Sequence, residues 1–216
     1  VSAANSLIGT KQDDFVGISG IFPLPDGSYV VSSSAWSNGD IRSVGAVTYC
    51  DKNIGCRGEI NSSNSLTGSS QGDRVGDKEI ILLSNGNYLV RSSFWRDPTA
   101  GDFFGAVTLC SKTNGCTGIV GIHNSLVGSG PNEGITNVRT LPNGNYLVVS
   151  PFNSTMFQAG AVTFCDGTIG CSGTVSSENS LVGSKIYDVV GYHVIIMPNG
   201  NYIVVSPLWD NPLTRS

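Results

Sequence analysis

Six cysteines are the residues whose type and spacing point most directly to chemistry. They fall in three pairs, Cys50/Cys56, Cys110/Cys116 and Cys165/Cys171, with five residues between partners. That separation puts two thiols at facing sites of a short hairpin loop, within disulfide reach. Zinc ribbons instead space their cysteines by about two or three residues, and no His recurs beside these pairs. The pairs therefore read as disulfides, which implies an oxidising compartment. Closing so short a loop stabilises by about 2 kcal/mol on the chain-entropy model, enough to protect a hairpin but not to build a domain.

Two other sets recur at fixed register. Asp14, Asp73, Glu133 and Asp188 each stand nine residues on from a copy of Asn-Ser-Leu. A ring of such carboxylates could hold a cation such as Ca²⁺ through oxygen ligands. The competing reading is that each acid accepts backbone N–H bonds in a turn. The pattern favours it, because no Asp-x-Asp-x-Asp-Gly loop is present. Trp36, Trp95, Asn153 and Trp209 stand nine residues beyond a turn glycine, with Asp97 and Asp210 close by. An indole face beside carboxylates suits a sugar; the competing reading is a large apolar side chain packed between units. His123 and His193 occupy unrelated positions, and no Gly-x-Ser-x-Gly elbow accompanies them. No catalytic residue, no organic cofactor and no enzymatic activity is expected.

The elements that position these residues are four imperfect copies of one unit. Asn-Ser-Leu-x-Gly begins at Asn5, Asn64, Asn124 and Asn179, at intervals of 59, 60 and 55 residues. A turn followed by Tyr comes next: Pro25–Tyr29, Ser84–Tyr88, Pro142–Tyr146 and Pro198–Tyr202. Gly-Ala-Val-Thr follows at Gly45, Gly105 and Gly160, leading into the cysteine pairs. Asn-Gly and Asp-Gly turns flanked by β-branched runs predict a hairpin with a type I′ turn, whose two central residues have positive φ. Gly45–Tyr49 and Gly58–Ile60 predict a second hairpin around Asp51–Gly55. No segment keeps helical periodicity without Gly or Pro.

The expectation is an all-β, β-propeller-like array of about four four-stranded antiparallel units in a single domain, 1–216. Units counted from Asn-Ser-Leu run roughly 5–63, 64–123, 124–178 and 179–216. So small a sheet cannot bury both faces alone, and face-to-face stacking solves that.

Composition narrows the function classes. Only 13% of residues are charged, Gly numbers 28, and the formal net charge is −4, so neither nucleic acid nor an acidic membrane surface is an expected partner. No stretch approaches the roughly 20 apolar residues of a membrane span, so no membrane insertion is expected.

With these motifs in view, the whole chain resembles an uncharacterised bacterial surface-protein repeat family whose copies read Asn-Ser-Leu-Val-Gly, Asn-Gly-Asn-Tyr-Val-Val and Gly-Ala-Val-Thr-Trp. The resemblance implies a secreted or surface-attached, propeller-like array without known catalysis. The chain departs from it where Tyr49, Leu109 and Phe164 replace the Trp and a Cys follows directly.

The last unit lacks its Gly-Ala-Val-Thr-x-Cys segment, and is expected to be completed in part by residues 1–4 or by a neighbouring chain. The sequence thus points to a non-catalytic extracellular or cell-surface structural and adhesive repeat protein whose partners are copies of itself, assembled head-to-tail or by strand complementation into a filament. The alternative is a lectin-like module binding surface glycans through Trp36, Trp95, Trp209, Asp97 and Asp210.

Overall fold

The computed structural model describes all residues except 132–134, 136, 151–157 and 210–216. Its described residues form β-strands and turns, with no helix. The strands in chain order are β1 (Leu7–Ile8), β2 (Gly20–Pro23), β3 (Tyr29–Ser33), β4 (Ala46–Cys50), β5 (Gly58–Glu59) and β6 (Ser65–Thr67). Then follow β7 (Ile81–Leu82), β8 (Tyr88–Ser92), β9 (Ala106–Cys110), β10 (Gly118–Ile119), β11 (Ser125–Val127) and β12 (Asn137–Thr140). The last are β13 (Tyr146–Ser150), β14 (Ala161–Cys165), β15 (Gly173–Thr174), β16 (Leu181–Val182), β17 (His193–Ile196) and β18 (Tyr202–Val205).

They pair into repeating sheets: β10-β6-β4-β3-β2, then β15-β11-β9-β8-β7, then β12-β13-β14-β16, with shorter sheets β1-β5 and β17-β18. The predicted all-β array is thus observed. Each sheet, however, takes its Asn-Ser-Leu strand from the start of the following sequence unit, as when β6 pairs with β4. Sheets and units counted from Asn5 are therefore out of phase.

The turn hairpins form where expected, but with different geometry. Gly27, Gly86, Gly144 and Gly200 have positive φ, whereas the Asp or Asn before each does not. The Gly86 N–H donates to the Leu83 carbonyl at 2.9 Å, and the Leu83 N–H to the Asn87 carbonyl at 2.8 Å. This is a type I turn closed by a left-handed glycine, not type I′. Pro25, Pro142 and Pro198 favour it in three of the four turns, because their fixed negative φ suits the first central position of type I, and the fourth takes the same form with Ser84 there.

The predicted second hairpin is also corrected. The chain does reverse at the cysteine loop, through the Asp51–Gly55 bridge. It then leaves the sheet, and β5 pairs in parallel with β1, as β10 does with β6 and β15 with β11. Gly58, Gly118 and Gly173, all at positive φ, redirect it.

Apolar residues of adjoining sheets share their cores. Val30, Val47 and Leu66 pack with Tyr88, Val90 and Ala106 across the first junction. Leu89, Val107 and Leu126 pack with Tyr146, Val148 and Ala161 across the second. Leu147 and Val162 pack with Val190, Val194 and Tyr202 across the third. The sheets are therefore stacked face to face in chain order. Among the described residues no core cluster joins the last sheet to the first.

Close approach at the first and third junctions depends on the glycine of Gly-Ala-Val-Thr. Gly45 has φ +76° and forms a parallel bridge with Val75, whose N–H donates to the Val44 carbonyl at 3.0 Å. A Cβ at Gly45 would overlap the Val75 backbone, and one at Gly160 the Val190 backbone. Gly45→Ala should lower stability in urea unfolding by about 2–4 kcal/mol, from strain plus overlap. Gly39→Ala is the control: φ is also positive, but the space is open, so only about 1 kcal/mol should be lost.

The turn tyrosines report the same stacking. Tyr88 and Tyr146 are fully buried, and burial raises the phenol of Tyr146 to about 12 and that of Tyr88 as well. An unfolded tyrosine ionises near its ordinary value of about 10, so above that pH the unfolded chain holds fewer protons than the native one. Stability should therefore fall as pH rises from 10 towards 12, and Tyr146→Phe should make the decline shallower. Denaturant midpoints measured across that range test this.

Candidate functional site

The repeated acids turn out to pin loops. The Asp73 Oδ2 accepts the N–H groups of Ser69 at 2.9 Å and Ser70 at 2.8 Å, while its Oδ1 accepts that of Arg96 at 3.0 Å. Asp14 repeats the pattern with Thr10, Lys11 and Ser37 at 2.7, 2.9 and 2.9 Å. Asp188 does so with Ser184 and Lys185 at 2.7 and 2.9 Å. All three are buried. Burial raises the Asp73 carboxyl above its ordinary value, against the lowering effect of its three N–H donors.

Each pin needs the glycine five residues before it, since a Cβ at Gly9, Gly68 or Gly183 would run into the Asp14, Asp73 or Asp188 side chain. Asp14 and Asp73 also tie the loop after Asn-Ser-Leu to the residue following a buried Trp, Ser37 after Trp36 and Arg96 after Trp95. Such N–H donors face the carboxylates where a cation would have to sit. Among the described residues no group of three or more His, Cys, Asp or Glu could hold a metal. Glu133 lies outside the described residues.

The tryptophans correct the sugar-site expectation. Trp36 and Trp95 are each only 2% exposed, so neither indole offers a face to a ligand. The Trp95 Nε1 donates to the Val120 carbonyl at 3.1 Å, fixing the ring inside the first junction. Trp209 is exposed, and Asp210 lies outside the described residues. Asp97 organises its own turn by accepting the N–H groups of Thr99 and Ala100, both at 2.8 Å. It borders a mostly apolar cleft with Pro98, Ile119, Ile122 and His123.

The cysteines are brought together as read. Cys50–Cys56, Cys110–Cys116 and Cys165–Cys171 are disulfides with Cα–Cα separations of 4.6, 4.9 and 5.3 Å. Three such bonds fit an oxidising environment.

One repeated feature was missed in the sequence. The Thr of Gly-Ala-Val-Thr meets the Ser of the next Asn-Ser-Leu across the sheet: Thr48 with Ser65 and Thr108 with Ser125 at 2.7 Å, Thr163 with Ser180 at 2.6 Å. Each Ser hydroxyl also donates to the adjacent Asn, at 2.9, 2.9 and 2.7 Å for Asn64, Asn124 and Asn179. Each Asn Oδ1 in turn accepts a backbone N–H, from Asn61, Gly121 or Ser176, at 3.0 Å. The signal was available: Thr and Ser recur seventeen residues apart in three units.

The repeated residues therefore build junctions. A family model described as a repeat of unknown function (DUF5650) matches residues 1–18, 23–77, 82–137, 140–192 and 196–216. The chain belongs to this family. Its matched stretches 23–77 and 82–137 begin near the turn hairpin, so the DUF5650 repeat runs in phase with the sheets. No curated protein matches the chain. Among the described residues no helix is long and apolar enough to cross a membrane.

Two measurements separate loop pin from metal site. Asp73→Ala should cost about 2–3 kcal/mol in urea unfolding by stranding buried N–H donors. Chelation with EDTA should leave the melting temperature of the unmutated protein unchanged.

Proposed function

We propose that this DUF5650 chain is a non-catalytic structural repeat protein, secreted or held at a cell surface, that associates with copies of itself through the ends of its sheet stack into an extended assembly. The disulfides favour the extracellular setting, and the low charge leaves little repulsion between copies.

The observation that carries this reading is the unequal exposure of equivalent residues. Val30, Leu89 and Leu147, the first residues after the turn Tyr, are fully buried by the following sheet, but their counterpart Ile203 is 47% exposed and its cross-strand partner Ile195 52%. At the other end Ile21 and Ile18 on and before β2 are also exposed. An aliphatic side chain stabilises by about 1.5–3 kcal/mol when fully buried. Among the described residues, the same surface that the fold covers at each internal junction is thus open at both ends of the stack. A glycan-binding role has lost support, because the burial of Trp36 and Trp95 removes two of its three stacking faces.

Light scattering and negative-stain electron microscopy test the reading. The chain should form elongated assemblies whose mass grows with concentration. Ile195→Glu/Ile203→Glu should leave a monomer with a melting temperature close to that of the parent. A parent that stays monodisperse and monomeric at millimolar concentration overturns it.

A further inference from the structure

The open end of the last sheet is more specific than an apolar patch. In each complete sheet the strand after the turn pairs, in one fixed register, with a Gly-Ala-Val-Thr-x-Cys strand. Tyr29 faces Cys50, Tyr88 faces Cys110 and Tyr146 faces Cys165, with Ser33, Ser92 and Ser150 facing Ala46, Ala106 and Ala161. β18 is the counterpart of β3, β8 and β13. It pairs with β17 on one edge, and no described strand occupies the other.

Neighbouring residues mark what belongs there. Leu66 and Leu126 are fully buried, while their counterpart Leu181 is 56% exposed and Phe164 beside it is 46% exposed. Leu126 is covered by a cluster that includes Ala161, Cys165 and Val175, residues of the next Gly-Ala-Val-Thr-x-Cys strand and of the segment after its cysteine loop. The side chains at the fourth turn position make the same point. Ser28, Asn87 and Asn145 accept the N–H of Lys52, Lys112 and Gly167, two residues beyond the strand's Cys, at 3.3, 3.1 and 2.9 Å. Asn201 holds the equivalent place beside β18.

We propose that the open edge of β18 is an acceptor for an antiparallel strand of the pattern Gly-Ala-Val-Thr-x-Cys with its disulfide loop, supplied by a further repeat unit of the same family. The three such strands of this chain are already paired within its own sheets, so the donor is an additional unit. Its Ala and Cys cover Leu181, its loop covers Tyr202, and the N–H two residues past its Cys meets Asn201. The donor's far edge suits β1 of a second copy. β1 is the counterpart of β6, pairs only with β5 among the described strands, and carries Ser6 where Ser65 meets Thr48. The strand order β17-β18-donor-β1-β5 would then reproduce β2-β3-β4-β6-β10. This deepens the self-association reading, on which it rests for the second copy but not for donor binding.

The test uses the full chain and an oxidised synthetic peptide with the sequence of residues 160–175. Hydrogen exchange followed by mass spectrometry should show at least tenfold slower exchange at Tyr202–Val205 with peptide present, at one peptide per chain. A peptide carrying Ala161→Arg, whose side chain would strike Leu181, should bind at least tenfold more weakly. Absence of protection at millimolar peptide, or equal protection by a scrambled peptide, overturns the proposal. A chain that binds the peptide yet never assembles retains the acceptor edge and loses the filament. A chain that assembles while β18 stays unprotected with peptide loses the acceptor edge and retains the filament.

Discussion

A sheet of four or five short strands with apolar residues on both faces is stable only when both faces are covered. Val30 and Val31 are neighbours in β3, point to opposite faces, and are both buried. Every other feature follows from that requirement. It forces neighbouring sheets into contact, and contact this close forces glycine where one sheet's strand passes the next unit's backbone, as Gly45 passes Val75. It also makes each sheet's stability a property of the pair, so cooperativity runs along the stack and falls away at its ends.

Polar groups are handled by repetition as well. Stacked sheets joined by long loops bring many backbone N–H groups inside, and each must find an acceptor. One carboxylate per unit takes three of them at Asp14 and Asp73, and a Thr–Ser–Asn chain of hydrogen bonds takes another where the sheet's innermost strands meet. These acids are spent on the protein's own backbone. A low-charge chain can therefore bury carboxylates at fixed intervals without any of them serving a ligand, because hydrogen bonds to N–H groups compensate the loss of water.

Much of this was legible in the sequence because spacing maps onto place when a chain repeats. The cysteine pairs, the turn hairpins and the all-β repeating class needed only register. What was not legible depended on geometry that register does not carry. The Asn-Gly dipeptide suggested type I′, but only the glycine is left-handed, in the turn that begins with Ser84 as in the three that begin with proline. Gly58–Glu59 was too short to show an alternation that would assign its partner, and the partner is the parallel Asn-Ser-Leu strand that opens its own unit. Trp36 and Trp95 have one sequence context for two fates, stacking on a sugar or filling a junction, and only the position of the facing sheet distinguishes them.

The disulfides take their meaning from where each loop sits. Each closes the tip of a strand that is itself third in its sheet, and the loop glycine lies against the turn Tyr hydroxyl: Gly55 at Tyr29, Gly115 at Tyr88 and Gly170 at Tyr146. A loop of that size contributes little to global folding entropy, so its value lies in holding a rigid cap over the tyrosine, which at Tyr88 and Tyr146 is buried at the junction with the preceding sheet. Reduction would loosen the cap before it loosened the sheet. The staple therefore protects the packing between units more than the unit itself, which is where a protein built by stacking is weakest.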